Sequence, residues 1–146
     1  YSFLRRHYQA QTTTSRPVSL NLTYEDGGLY SGERRQVTGT LSVRPGRGWL
    51  INIGGDFNEI SLREGRFTTR LWLNDVNTQF NPFLSLVNRV QFDSVTRQLG
   101  WQSRFRWITR PGNDIFVVYT HNWLDRTTLQ TLDHKGSVKI VRTIRF

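Results

Sequence analysis

The residues with the chemistry for catalysis or metal binding are few and scattered. The histidines are His7, His121 and His134, each on a different predicted element, and there is no cysteine. A zinc or related centre needs three or four nitrogen, sulfur or oxygen donors brought together. None of the histidines has a partner at that spacing, so no metal and no cofactor are expected. The absence of thiols also excludes a disulfide framework. Glu25 with Asp26, and Glu59 with Glu64, are carboxylate pairs of the kind that serve as general acid and base. They fall at loop ends, where solvated charge is the simpler reading. No Ser-His-Asp order accompanies a nucleophile elbow. "PGRG" at 45–48 is too short for a phosphate loop and reads as a turn. "NLT" at 21–23 has the form of a glycosylation triplet but lies inside a strand pattern. The expectation is that the chain is not an enzyme.

Charge is the more informative chemistry. Lysine and arginine number 20 against 11 acidic residues, a formal net charge of +9 over 146 residues. Such a balance suits a polyanionic partner: nucleic acid, lipopolysaccharide or an anionic solute. Arg70, Arg89, Arg104, Arg106, Lys139 and Arg145 all fall at polar positions of alternating segments, together with Gln36, Gln91 and Gln102. Two readings compete. The arginines could be ion-paired within the protein to Asp56, Asp93 and Asp114, or they could line an anion path, since rings of Arg or Lys select for anions in pores.

The elements that position these residues read almost entirely as strands. Thr, Val, Ile and aromatics dominate, and Gly, Pro and Asn-Asp punctuate them. Nine strands are expected, over roughly 2–13, 17–27, 34–44, 48–60, 66–77, 83–93, 97–109, 114–124 and 136–146, in a single domain spanning 1–146. Most approach the roughly 9–11 residues that cross a bilayer at a tilt. In "VSLNLTY" Val18, Leu20, Leu22 and Tyr24 oppose Ser19, Asn21 and Thr23. In "LGWQSRFRWITR" Leu99, Trp101, Phe105 and Trp107 oppose Gln102, Arg104 and Arg106. Period-two alternation gives each strand one apolar and one wet face. "TSRPV", "RPGRG", "FNPF" and "RPGND" contain Pro and read as tight turns. The intervening links have no Pro and read as longer, more charged loops, with the longest at 125–135. Short turns at one end and long loops at the other are a feature of transmembrane barrels.

Whether the apolar face points in or out decides the class. Mid-strand arginines would be costly in a small sealed core, and on a lipid face each would cost roughly 2–4 kcal/mol at mid-bilayer; a wet lumen accepts them. Leu20, Leu22, Leu41, Val43, Ile51, Ile53, Leu71, Leu73, Leu86, Val90, Phe105, Val117 and Ile140 are therefore expected to face lipid, with Arg70, Arg89, Arg104 and Arg106 inside. Aromatics gather near strand ends: Trp49, Phe80, Phe83, Trp107 and Phe146 toward the Pro turns, and Tyr24, Tyr30, Phe57, Phe67, Phe92 and Trp123 toward the loops. Trp49, Trp107, Trp123, Phe57 and Phe92 are the candidate girdle residues, as two membrane interfaces select such belts. The predicted class is thus an all-β, antiparallel, up-and-down transmembrane β-barrel of eight or nine strands, or the last part of a larger one. Even strand numbers are the rule for such barrels. No run of about 18 apolar residues suggests a transmembrane helix, and "YSFLRRHYQA" lacks the apolar stretch of a signal peptide.

Two segments carry a family resemblance: "NRVQFDSVTRQLGWQSRFRWITRPGNDIFVVYTHNW" and the closing "VKIVRTIRF". They resemble the C-terminal barrel of a bacterial outer-membrane family whose members carry an N-terminal carbohydrate-binding module of the family-nine type. "SRPVSLNLTYEDGGLYSGERRQVTGTLSVRPG" and "EGRFTTRLW" are similar to the same region, and 88–123 is the most specific part. The resemblance implies a porin-like barrel in the outer membrane of a Gram-negative bacterium, among lipid and lipopolysaccharide. It also implies insertion by the barrel-assembly machinery through a final aromatic strand, here Val138, Ile140, Ile144 and Phe146. Arg142 departs from that pattern, standing where an apolar or aromatic residue is usual. No carbohydrate-binding module lies within these residues. The competing reading is a soluble β-barrel binding a polyanion such as single-stranded nucleic acid through aromatics and Arg. It is disfavoured because most aromatics share a face with Leu, Ile and Val, so nucleic acid is not the expected partner.

Overall fold

Residues rich in β-branched and aromatic side chains, alternating with Thr, Asn, Gln and Arg, form strand along nearly the whole chain. The computed structural model describes residues 4–143, and among them there are nine strands and no helix. These are β1 (Arg5–Gln11), β2 (Val18–Leu29), β3 (Gly32–Val43), β4 (Trp49–Leu62), β5 (Gly65–Asn81), β6 (Leu84–Asp93), β7 (Gln98–Arg110), β8 (Asn113–Asp125) and β9 (Leu129–Arg142). They make one sheet in sequence order, each strand antiparallel to the next. This is the antiparallel up-and-down arrangement the alternation implied. The sheet is not closed: among the described residues β1 pairs with β2 and β9 with β8, leaving two edges.

Two expectations about the connections are corrected. The Pro-free links are not the longer ones. Tyr30 and Ser31 alone join β2 to β3, and Arg63 and Glu64 alone join β4 to β5, whereas the Pro-containing links at 12–17 and 44–48 are longer. The predicted loop at 125–135 is mostly strand. Leu129 pairs with Asp125 and Thr131 with Trp123, then a bulge absorbs Leu132 before Asp133 pairs with Asn122. Cross-strand partners decide β-structure more than composition does, and a bulge lets a ladder continue past one surplus residue. The meander still places all four Pro-containing links at one end and all four Pro-free links at the other.

Residues directly opposite in an antiparallel ladder share a face. Val18, Val43, Ile51 and Val76 make one such row, and Leu20, Leu41 and Ile53 another. The intervening row runs Ser19, Ser42, Asn52, Asp75, Arg89, Gln102. One face of the sheet is therefore largely apolar and the other polar. Among the described residues no apolar side chain is buried; the two buried side chains are Ser19 and Thr78. In β2, Ser19 is 6% exposed while its neighbours Val18 and Leu20 are 53% and 44% exposed. In β4, Asn52, Asp56 and Asn58 are half-buried while Ile53 and Phe57 are exposed. Side chains crowd on the inside of a curved sheet and splay on the outside. In β2–β4 the crowded side is the polar one.

Candidate functional site

The polar face divides into two sectors. Across β3 and β4 it is a closed hydrogen-bond network. Arg34 Nε donates to Asn58 Oδ1 at 3.0 Å, and its Nη2 donates to the same oxygen at 2.8 Å and also to Gln36. Gln36 Nε2 donates to Asp56 Oδ2 at 2.8 Å, and Asn58 Nδ2 to Asp56 Oδ1 at 2.6 Å. Ser42 donates to Asn52 at 2.7 Å. Each charge here is met within the protein, as partly shielded polar groups require.

Across β6–β9 the polar face is cationic. Arg89 pairs with Asp75 through two hydrogen bonds, Nε to Oδ1 at 2.7 Å and Nη2 to Oδ2 at 3.2 Å. Arg106 donates to Asp114 at 3.0 Å and lies over the Phe116 ring, 5.5 Å from its centre. Arg104 faces Val118, and Lys139 faces Phe116; neither has a carboxylate partner among the described residues. Lys135, opposite Thr120, joins them on this face. Nearby, Arg89, Gln91, Asp93, Gln98, Gln102 and Asn122 line a groove of about 410 Å³. Gly100 sits in its floor, where a Cβ would come within 3.0 Å of Asn122 Oδ1. This sector can hold anions and polar solutes by charge and amide hydrogen bonds; it offers no aligned nucleophile and base.

The structure therefore gathers Arg89, Arg104, Arg106 and Lys139 on one face, and it corrects the placement of Arg70. The β4–β5 register sets Arg70 opposite Phe57, on the apolar face, with its guanidinium 5.3 Å from the centre of the Phe57 ring. Leu71 and Leu73, expected beside Ile53, consequently turn to the polar face, opposite Asp93 and Gln91. Of the three aspartates expected to pair with arginine, Asp114 does so, with Arg106; Arg89 takes Asp75 rather than Asp93, and Asp56 is held by the amides of Gln36 and Asn58. Arg145 lies outside the described residues.

All five candidate girdle residues lie on the apolar face. Trp49 and Trp107 stand toward the Pro-containing links; Phe57, Phe92 and Trp123 stand toward the other end, where Trp72 pairs with Phe92 and Leu99 with Trp123. Val138 and Ile140 face Val117 and Ile115 on the same face; Ile144 and Phe146 lie outside the described residues. The sequence reading missed one pairing. His121 and His134 are direct cross-strand partners with ring centres 5.7 Å apart, and His121 stacks on Trp123 at 4.0 Å. A tight link at 126–128 would have revealed it; the assumed long loop hid it. Among the described residues no third His, Asp or Glu joins the pair to make a metal-binding group. No protein-family model matches the chain, and no curated protein matches it.

Proposed function

We propose that the chain is an integral bacterial outer-membrane β-barrel, or a segment of one, acting as a scaffold or pore whose polar face lines a basic lumen. The observation that carries this reading is the inverted burial. A soluble sheet buries its apolar face against a second layer; here no apolar side chain of the described residues is buried, and in β2–β4 the polar face is the one crowded and knitted by internal hydrogen bonds. Lipid is the solvent that suits such a face. Strands of 10–17 residues from β2 to β9 are long enough to cross a bilayer at a tilt. Aromatics at both ends of the apolar face suit its two interfaces. The family resemblance of 88–123 belongs to the same proposal, as do lipid and lipopolysaccharide as surroundings and the barrel-assembly machinery as the inserting partner. Arg104, Lys135 and Lys139, which have no carboxylate partner among the described residues, would bias a lumen toward anions.

The chain has no cysteine, so single cysteines introduced along β4 can each carry one fluorophore. In lipid vesicles, labels at Ile51→Cys and Ile53→Cys should be quenched from the lipid phase. Labels at Asn52→Cys and Asp56→Cys should be quenched only from water. A chain that stays monodisperse without detergent, with all four labels equally open to water, would overturn the membrane reading. Retention of single-stranded nucleic acid by that chain would then favour the soluble polyanion binder.

A further inference from the structure

The apolar face is not apolar throughout. In β2–β4 two of its rows, toward the Pro-containing links, hold Val18, Leu20, Leu41, Val43, Ile51 and Ile53. Followed across the sheet, the same rows change character. One runs through Asn74, Val90, Trp101, His121 and His134; the next through Val76, Asn88, Ser103, Tyr119 and Gly136. Apolar rows bound them on both sides: Phe92, Leu99 and Trp123 toward one end, and Leu86, Phe105, Val117 and Val138 toward the other. The result is a polar island between apolar rows of β6–β9.

We infer that this island is a contact between two copies of the chain within the membrane, an inference that rests on the membrane reading above. Hydrocarbon offers polar groups no hydrogen-bond partners, so amides, hydroxyls and imidazoles at membrane depth collect against protein. Part of the island is satisfied internally. Tyr119 Oη and His121 Nδ1 are 3.0 Å apart, His121 Nε2 and Thr131 Oγ1 3.2 Å, and Trp101 Nε1 donates to Asn88 Oδ1 at 3.4 Å. Asn74 and Ser103 make no side-chain hydrogen bond among the described residues, and the Asn88 amide nitrogen also makes none.

Two features select a second copy as the occupant. Asn, Ser, Tyr and neutral His each both donate and accept, so the island can meet the same island on a second copy, as an isologous contact demands. The chain carries a formal charge of +9, which opposes self-association over most of its surface. From Leu84 to Phe92, Leu99 to Trp107 and Ile115 to Trp123, however, the positions on this face hold no Lys, Arg, Asp or Glu. Copies can meet there without like-charge repulsion. Gly136, in the row of Tyr119, leaves open space where a Cβ would stand. Small residues at membrane interfaces allow this kind of close backbone approach.

The test uses the full chain folded in vesicles with a cysteine at Ser103→Cys or, as a control on the same face, at Ile53→Cys. A short bis-maleimide should yield a cross-linked dimer from Ser103→Cys and not from Ile53→Cys. A label at 53 should be quenched strongly from the lipid phase and a label at 103 several-fold less. Adding Asn88→Leu and Tyr119→Phe should abolish the cross-link and raise quenching at 103 to the level at 53. Strong quenching at both sites without a cross-link would leave the membrane reading intact and overturn the dimer. So would protection of 103 in a chain that sediments as a monomer with another protein bound. Absence of lipid quenching at 53 would overturn the membrane reading, and the dimer with it.

Discussion

At the scale of single residues, Arg70 is the most instructive position. It shares the apolar face with Phe57 and Trp72 but stands near the Pro-free end of the sheet. The cost of Arg on a lipid face depends on depth, roughly 2–4 kcal/mol at the midplane and about 0–1 near an interface. Near the interface its head can also reach water while its stem packs on Phe57. Arg70→Leu is therefore expected to change unfolding free energy in lipid by less than about 1 kcal/mol, whereas Ile53→Arg, further along the same face, should lose about 2–4 kcal/mol. Equal effects at the two positions would contradict this depth assignment. Gly48 supplies a second test. Its φ is +79°, and a Cβ there would lie 2.1 Å from the Gln79 carbonyl oxygen. The left-handed conformation alone costs a residue with a side chain about 1–2 kcal/mol. Gly48→Ala should lower the denaturant midpoint accordingly, while Gly46→Ala, with nothing within 4 Å, should leave it unchanged.

At the scale of elements, strand identity was legible and facing was only partly so. Where a strand alternates cleanly, as in Val18–Leu22 or Leu99–Trp107, the sequence places every side chain. In "RLWLNDV" apolar residues occupy both parities, Leu71 and Leu73 on one and Trp72 and Val76 on the other. No local rule chooses between them; the ladder to β4 does, by fixing Phe57 opposite Arg70. "IFVVY" in β8 has the same ambiguity, and Phe116 and Val118 duly lie on the polar face, Phe116 between Arg106 and Lys139 and Val118 between Arg104 and Ser137. Much of the cationic sector could be foreseen because Arg104 and Arg106 sit in cleanly alternating β7; the island around His121 could not, because it depends on the β8–β9 pairing. That pairing makes a prediction. A short tag inserted after Thr127 enters the link and should leave the folded, heat-resistant band on a gel unaltered. The same tag between Lys135 and Gly136 interrupts a ladder that sets Thr120 and Tyr119 opposite them, and that band should be lost. Tolerance at both sites would mean that 129–135 is a loop after all.

At the scale of the whole molecule, the two edges of the sheet are the constraint that the membrane reading must meet. Among the described residues each edge strand presents backbone N–H and C=O groups with no partner, and hydrocarbon cannot supply one. In a nine-strand meander with every neighbour antiparallel, β1 and β9 run in the same direction. Direct closure would therefore make a parallel seam, and an all-antiparallel barrel requires at least one further strand, which is why even numbers are the rule. The character of β1 bears on this. Its apolar-face positions hold Arg6, Tyr8 and Ala10, against Val138 and Ile140 in β9, so β1 is poorly suited to a central lipid-facing place. Either arrangement gives the same first expectation. In vesicles, the amides of β9 from Val138 to Val141 should exchange with solvent deuterium as slowly as those of β5, which is paired on both sides. Fast exchange in β9 beside slow exchange in β5 would show a wet edge, incompatible with a spanning sheet. Given slow exchange, cysteines at Ala10 and Val138, both on the apolar face, separate the two closures. A cross-link between them within one chain marks the parallel seam, and slow exchange without that cross-link marks an additional strand lying between β9 and β1.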